Sequence, residues 1–452
     1  MKKAFSRLYL LVLIFTGGLA HAQPNSDLVS GPMLGQVDYR TATVWIEAKE
    51  GKQPLLRFWR KDDRKQSWVV KGVPKAEARK HGFNVIMFYI NGLDVNTAYE
   101  YQLEKGKTEF KADGSFTTKE LWQWRRSPPD FSFITGSCSY MNEPGFDRSG
   151  RSYGGDTSIY TAMARENAAF MLWLGDNWYT REVDYYSNWG LWYRAHYDRS
   201  RAILQPFFSR MPHYAIWDDH DFGPNDMGRE FHLKEESRAV FTSFWANPSY
   251  GEQGSGIYTR LNHSDVDFFL LDDRTWRSSD KFPDSLGGGP NPMKKMFGDQ
   301  QMEWLKNALA GSLATFKVIV TGSQMLNPKS PFDCFRKFPA EYQPFMQFLA
   351  DQKITGVVFL TGDRHHSEII KLEGLTPYPL YDITVSPLTS GTHVFGPDEK
   401  NNPYRVLGID QLQNYARISV SGAVKDRTLR VNFMDIKGNP IAEWRVNEKE
   451  LR

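Results

Sequence analysis

The sequence predicts an α/β sandwich, two central sheets flanked by helices, preceded by a small β-sandwich. Three observations predict it. The 452 residues are 40% hydrophobic and 14% aromatic, which can bury large cores and excludes a disordered chain or a polyelectrolyte tail. Residues 28–119 read as short alternating strands separated by turn residues. From residue 131 onward, apolar strands run into polar clusters, with helical spacing between them. At roughly 150 residues per domain, two or three domains fit, as does one large α/β domain with a small module.

The chain opens with Lys2, Lys3 and Arg7, an apolar run from Leu8 to Phe15, and Ala20-His21-Ala22 before Gln23. This order predicts a secretory signal peptide over residues 1–22. Its apolar run is well short of the ~20 residues that span a bilayer. The formal charge of +3 comes wholly from this segment, and 53 basic residues face 53 acidic ones in the remainder. A neutral mature chain gives no electrostatic reason to expect nucleic acid as a partner. No later apolar segment is long enough to span a membrane, so an exported protein, periplasmic or secreted, is expected.

In residues 28–119, Thr41 to Glu47, Leu55 to Arg60, Ser67 to Val70 and Asn84 to Ile90 have strand character. The stretch from Ile90 to Leu103 resembles the corner of a fibronectin type III or immunoglobulin-like sandwich, where a Tyr near a strand start bonds back to the backbone. Residues 120–130, with Pro128 and Pro129, read as a linker. Residues 131–452 then form the second domain. Its buried strands are Phe131 to Thr135, Ala169 to Leu174, His213 to Trp217, Lys317 to Val320 and Val357 to Thr361, and helical spacing covers Met302 to Leu309 and Tyr342 to Leu349. The tail from Arg417 reads as finishing antiparallel strands, and Gly287 to Pro290 as a flexible loop without the Gly-Lys-Ser/Thr of a phosphate-cradling loop.

Functional groups of α/β sheets gather beyond the carboxyl ends of strands. At those ends stand Cys138, Asp176, Tyr179, Asn225, Asp363, His365 and His366. Several strand ends facing one cleft can supply a metal site, and a central Asp could bridge two ions. Tyr ionises near pH 10, so a phenolate ligand argues for a strongly acidifying trivalent ion such as Fe³⁺. Taken singly, each residue has an ordinary structural explanation; the combination is what points to a site.

Gly136-Ser-Cys138, Gly175-Asp-Asn-Trp-Tyr179, Trp217-Asp-Asp-His-Asp-Phe-Gly-Pro-Asn225 and Gly362-Asp-Arg-His365 resemble, in order, the motifs of the alkaline phosphatase D (PhoD-like) family of calcineurin-like metallophosphoesterases. The resemblance covers Phe131 to about Pro387, including Phe269 to Arg274 and Gly298 to Leu305. It implies a binuclear centre of Fe³⁺ and Ca²⁺ that hydrolyses phosphate mono- or diesters. Cys138 and Tyr179 would bind iron, Asp176 would bridge, Asn225 would serve the second ion, and Asp363 and His365 would come from the last motif. His366 beside His365 leaves open which ring binds.

The expected reaction is in-line attack by a metal-held water or hydroxide on phosphorus. Arg274, with its fixed fork of donors, would hold phosphate oxygens, and His220 or Asp219 would protonate the leaving group. Small-molecule, lipid and polymer esters all remain open as substrates, with residues 281–296 expected to influence the choice. Two other readings are a phosphodiesterase or phospholipase on the same site and a non-enzymatic exported sugar-binding protein. The only other thiol, Cys334, is either disulfide-bonded to Cys138 or, if Cys138 binds metal, unpaired and buried.

Overall fold

A computed structural model of the chain describes residues 27–105 and 108–452. The expected signal peptide at residues 1–22 lies outside the described residues. Among the described residues, two four-stranded antiparallel sheets form the first domain. One orders Leu28–Val37, Thr41–Ala48, Asn84–Asn91 and Val73–Pro74; the other orders Asp63–Lys71, Leu55–Arg60, Ala98–Lys105 and Thr108–Thr117. Their inner faces enclose Val44, Ile46, Leu56, Phe88, Tyr99 and Leu103. Tyr99 forms the corner expected from the sequence, its hydroxyl accepting the Asp94 amide at 3.0 Å.

The second domain packs a six-stranded sheet against a seven-stranded one. In the first, His213–Ile216, Met171–Leu174 and Phe131–Gly136 run parallel, and Asn414–Ser421, Thr428–Asp435 and Pro440–Asn447 continue antiparallel. In the second, Val266–Leu270, Phe316–Val320, Val357–Thr361 and Leu380–Thr384 are parallel neighbours, bordered by antiparallel strands. These four strands are buried at every residue, as central parallel strands covered on both faces must be. Every parallel strand of the two sheets leads, at its carboxyl end, into one of the polar clusters.

The two domains share a core. Met33, Trp45, Phe83 and Met87 of the first domain belong to the same apolar cluster as Trp192, Phe244 and Trp245 of the second. Trp45 Nε1 donates to the Ser243 carbonyl at 2.8 Å, and the Gln36 amide donates to that of Ala246 at 3.0 Å. Arg199, fully buried, lies 5.0 Å from the Trp45 ring and 4.0 Å from Trp245. Contact is close enough that a Cβ at Gly35 would sit 2.3 Å from Ala246 Cβ. Gly35→Val is therefore expected to destabilise the protein by about 1–3 kcal/mol, read as a lower denaturant midpoint; an unchanged midpoint would mean that the domains dock loosely.

Residues 287–290 are ordered as a hairpin rather than as the expected flexible loop. Ser285–Leu286 pairs with Gly289–Pro290, and Gly287 and Gly288 form the turn with φ of +62° and +85°. No helix among the described residues is long and apolar enough to cross a membrane.

Candidate metal centre

The site forms where the carboxyl ends of the two sheets meet. Gly362 makes that approach possible, since a Cβ there would lie 2.6 Å from the Leu174 carbonyl and 2.7 Å from Ser137 Cβ. Beyond the strand ends the chain turns sharply. Cys138, Asp176, Asp363 and His365 all have positive φ, between +52° and +67°, a conformation that costs non-glycine residues energy and that concentrates at functional sites.

These turns bring four donors together. Tyr179 Oη donates to Asp176 Oδ2 at 2.9 Å and lies 3.2 Å from His365 Nε2. Cys138 Sγ is 3.5 Å from the same Asp176 oxygen. Ligand atoms of Cys138, Asp176 and His365 all lie within 4.8 Å of one another, as do those of Asp176, Asp219 and His220, and those of Asp218, Asp219 and Asp363. Asp176 thus belongs to one set that contains a thiol and a phenol, and to another built from carboxylate and imidazole.

His365, not His366, enters this centre. Its Nδ1 donates to the Gly391 carbonyl at 2.7 Å, which fixes the tautomer and leaves the Nε2 lone pair facing Tyr179. The His366 ring turns to the other side, against Phe395 and 3.4 Å from Glu368. His366, Glu368 and Glu399 also cluster, but Arg405 and Arg364 already pair with the two carboxylates at 2.6 and 2.8 Å.

The electrostatics of the centre call for a cation. Burial, then the Asp363 charge, pushes the Cys138 thiol up to about 12. Burial together with the Cys138 and Asp219 charges raises Asp176 well above the carboxylate range, and burial and Asp176 raise Tyr179. Asp363 rises to about 7, from burial first and then Asp333 and Asp219. Burial lowers His365 to about 3, with His393 adding to the effect, so its imidazole is neutral and free to ligate. Four acids crowded in low dielectric resist ionising together, and a bound ion of high charge removes that penalty. The donor set fits such an ion: thiolate, phenolate and imidazole on one side, carboxylates on the other.

The remaining residues expected at the site lie around it. His220 is partly exposed and stacks on Tyr179 at 4.1 Å between centroids. Asp219 accepts the amides of His220 at 2.9 Å and Asp226 at 2.8 Å. Asn225 is exposed, one residue from that anchored amide, and its own side chain donates to Asp226. Arg274 is fully buried. Its Nε donates to Asp218 Oδ1 at 2.6 Å and its Nη2 to Asp333 at 3.0 Å, leaving only Nη1 without a protein partner. Cys138 and Cys334 are both buried free thiols. Ser137 and Ser139 are engaged by the Val385 carbonyl and Tyr160, and Trp173 and Trp178 are core residues.

Three contributors were not singled out in the sequence: Ser386, whose hydroxyl donates to Cys138 Sγ at 3.1 Å, Gly391 and Tyr153. A signal existed for the first two. The Leu380–Thr384 strand also runs into a polar stretch, Ser386 to His393, as the motif-bearing strands do.

A family model, PhoD-like phosphatase, matches residues 133–425. The chain belongs to that family. A second model, Domain of unknown function (DUF7800), matches residues 25–118 of this PhoD-like chain. A curated relative, alkaline phosphatase D of Bacillus subtilis (strain 168), is 24% identical over 364 residues. That match covers 70% of this chain and 59% of the relative's own length. Among solved structures, one of PhoD superposes with a TM-score of 0.72 at 17% identity, covering 94% of this chain and 92% of that one. Purple acid phosphatase PPD1 from yellow lupin (Lupinus luteus) seeds superposes with a TM-score of 0.68 at 11% identity, covering 94% and 75%. Both share the fold of two mixed sheets behind an N-terminal β-sandwich.

Proposed function

We propose that this chain is an exported, metal-dependent phosphoesterase acting on phosphate mono- or diesters at a centre of the Fe³⁺/Ca²⁺ type. The observation that carries the proposal is the shared carboxylate of Asp176, which belongs both to a thiol-phenol-imidazole cluster and to the set it forms with Asp219 and His220. Cys138, Asp176, Tyr179 and His365 would hold the first ion; Asp176 and Asp219, with Asp363 from the adjoining carboxylate cluster, would hold the second, and Asn225 is assigned to it by the resemblance of its motif. Bound ions would supply positive charge to the phosphoryl oxygens and acidify the attacking water.

The chain's own residues do the rest. His220 stands on the accessible side, where its imidazole delivers a proton to the departing ester oxygen. Asp219 fixes the backbone of that segment through the His220 and Asp226 amides. Arg274 is a positioning residue that holds Asp218 and Asp333 in place. Export is supported by the basic, then apolar, then Ala-His-Ala opening of the sequence.

Protein grown with iron is expected to be coloured by phenolate-to-iron charge transfer, and Tyr179→Phe to bleach it. A spectrum unchanged in that variant would reject Tyr179 as a ligand. Iron-loaded, calcium-supplied protein that fails to hydrolyse p-nitrophenyl phosphate and its bis-ester would reject the phosphoesterase reading itself.

A further inference from the structure

The centre is closed on one side and open on the other. Cys138, Asp176, Tyr179 and His365 are 0 to 6% exposed, whereas His220 and Asp363 are partly exposed and Asn225 is exposed. Over the closed side lies Tyr153, on the segment between the Phe131–Gly136 strand and the Ile159–Met163 helix. Its ring meets Tyr140 edge-on at 5.0 Å and approaches Tyr179 at 6.3 Å and His365 at 5.8 Å. Its hydroxyl turns inward, 3.2 Å from His365 Nδ1. The residue is nonetheless 40% exposed, so part of it faces solvent while its hydroxyl is turned toward His365.

The segment that carries this ring is braced. Gly154 exchanges two hydrogen bonds with the Asn142 side chain, at 2.9 and 3.0 Å. The Gly155 amide donates to the Thr389 carbonyl at 2.7 Å, and the Asp156 amide to Gln413 Oε1 at 3.0 Å. A Cβ at Gly155 would fall 2.4 Å from the Gln413 amide nitrogen. Tyr153 is therefore held in place by contacts on three other segments, and its position is preorganised rather than induced.

A phosphate monoester carries one organic group, which departs toward His220 on the open side. A diester carries a second, and the exposed residue that borders both Tyr179 and His365 is Tyr153. We infer that Tyr153 is a specificity-determining residue, a fixed aromatic wall that restricts the second substituent and so favours monoesters over diesters. The inference rests on the phosphoesterase reading above.

The test compares kcat/KM for p-nitrophenyl phosphate and bis-p-nitrophenyl phosphate, with metal content measured on the same samples. Tyr153→Ala is expected to raise the diester-to-monoester ratio by about tenfold, the scale on which steric pockets discriminate. Tyr153→Trp is expected to lower the ratio, and Tyr153→Phe, which keeps the ring, to leave it near the parent value. A ratio unmoved by both Ala and Trp in metal-loaded protein overturns the inference and leaves the phosphoesterase reading standing. A parent enzyme that hydrolyses neither ester overturns both.

Discussion

Asp176→Asn is expected to reduce hydrolysis by about a thousandfold or more while leaving the metal-free fold at least as stable as the parent. The substitution preserves shape, and its carbonyl oxygen can still accept the His220 amide, which lies 3.3 Å from Asp176 Oδ1. What it removes is the charge shared by the two donor sets. In metal-free protein that charge is a burden, because burial and the neighbouring Cys138 and Asp219 hold the carboxyl well above its ordinary range. A group raised in this way adds stability below its unfolded pKa and loses it as pH rises toward the folded value. Chelated parent protein should therefore become less stable from about pH 4 through 7, the window in which Asp363 and Asp221, both raised to about 7 chiefly by burial, stay protonated in the folded chain while they are ionised in the unfolded one. Asp176→Asn should show a shallower decline. Activity retained in this variant would reject the shared carboxylate, and a large loss of metal-free stability would make Asp176 a structural residue instead.

Arg274→Met is expected to destabilise the protein by about 3–5 kcal/mol, the cost of leaving buried charge unpaired. Arg274 and Asp218 are both fully buried, and Asp333 is 8% exposed. Removing the guanidinium strands both carboxylates beside Asp219 and Asp363. Arg274→Lys keeps the charge but cannot reproduce the fork that reaches Asp218 and Asp333 together, so an intermediate loss is expected. Denaturant unfolding checks both variants. Near-parental stability with a raised KM would instead place Arg274 on the substrate phosphate, the role its fork of donors suggests when the sequence is considered alone.

The difference between those two expectations for Arg274 is instructive. Its place was legible only through the resemblance carried by Phe269 to Arg274, since the Val266–Leu270 strand before it has Asp267 within it. Its partners were not, since Asp218 and Asp333 lie 56 and 59 residues away in the chain. The N-terminal sandwich is a similar case. Alternation and turn residues announce its strands and the Tyr99 corner, but nothing local reveals that Trp45 fills a core belonging largely to the other domain. The hairpin at Gly287 and Gly288 was misjudged as a loose loop because glycines that permit a tight turn look the same in sequence as glycines that permit disorder.

Chain order and local pattern by themselves determined the two-domain plan and the strand ends that carry Cys138, Asp176, Tyr179 and Asp363. Strand period, turn chemistry and donor type are properties of neighbouring residues. Only the tertiary structure decided that His365 rather than His366 faces the centre. The His365 ring faces Tyr179 while the His366 ring packs on Phe395, and Gly391, 26 residues on, locks the former. Tyr153 likewise enters the site through contact with His365, 212 residues away. Contacts across such distances depend on how two sheets and their loops pack, which no local pattern encodes.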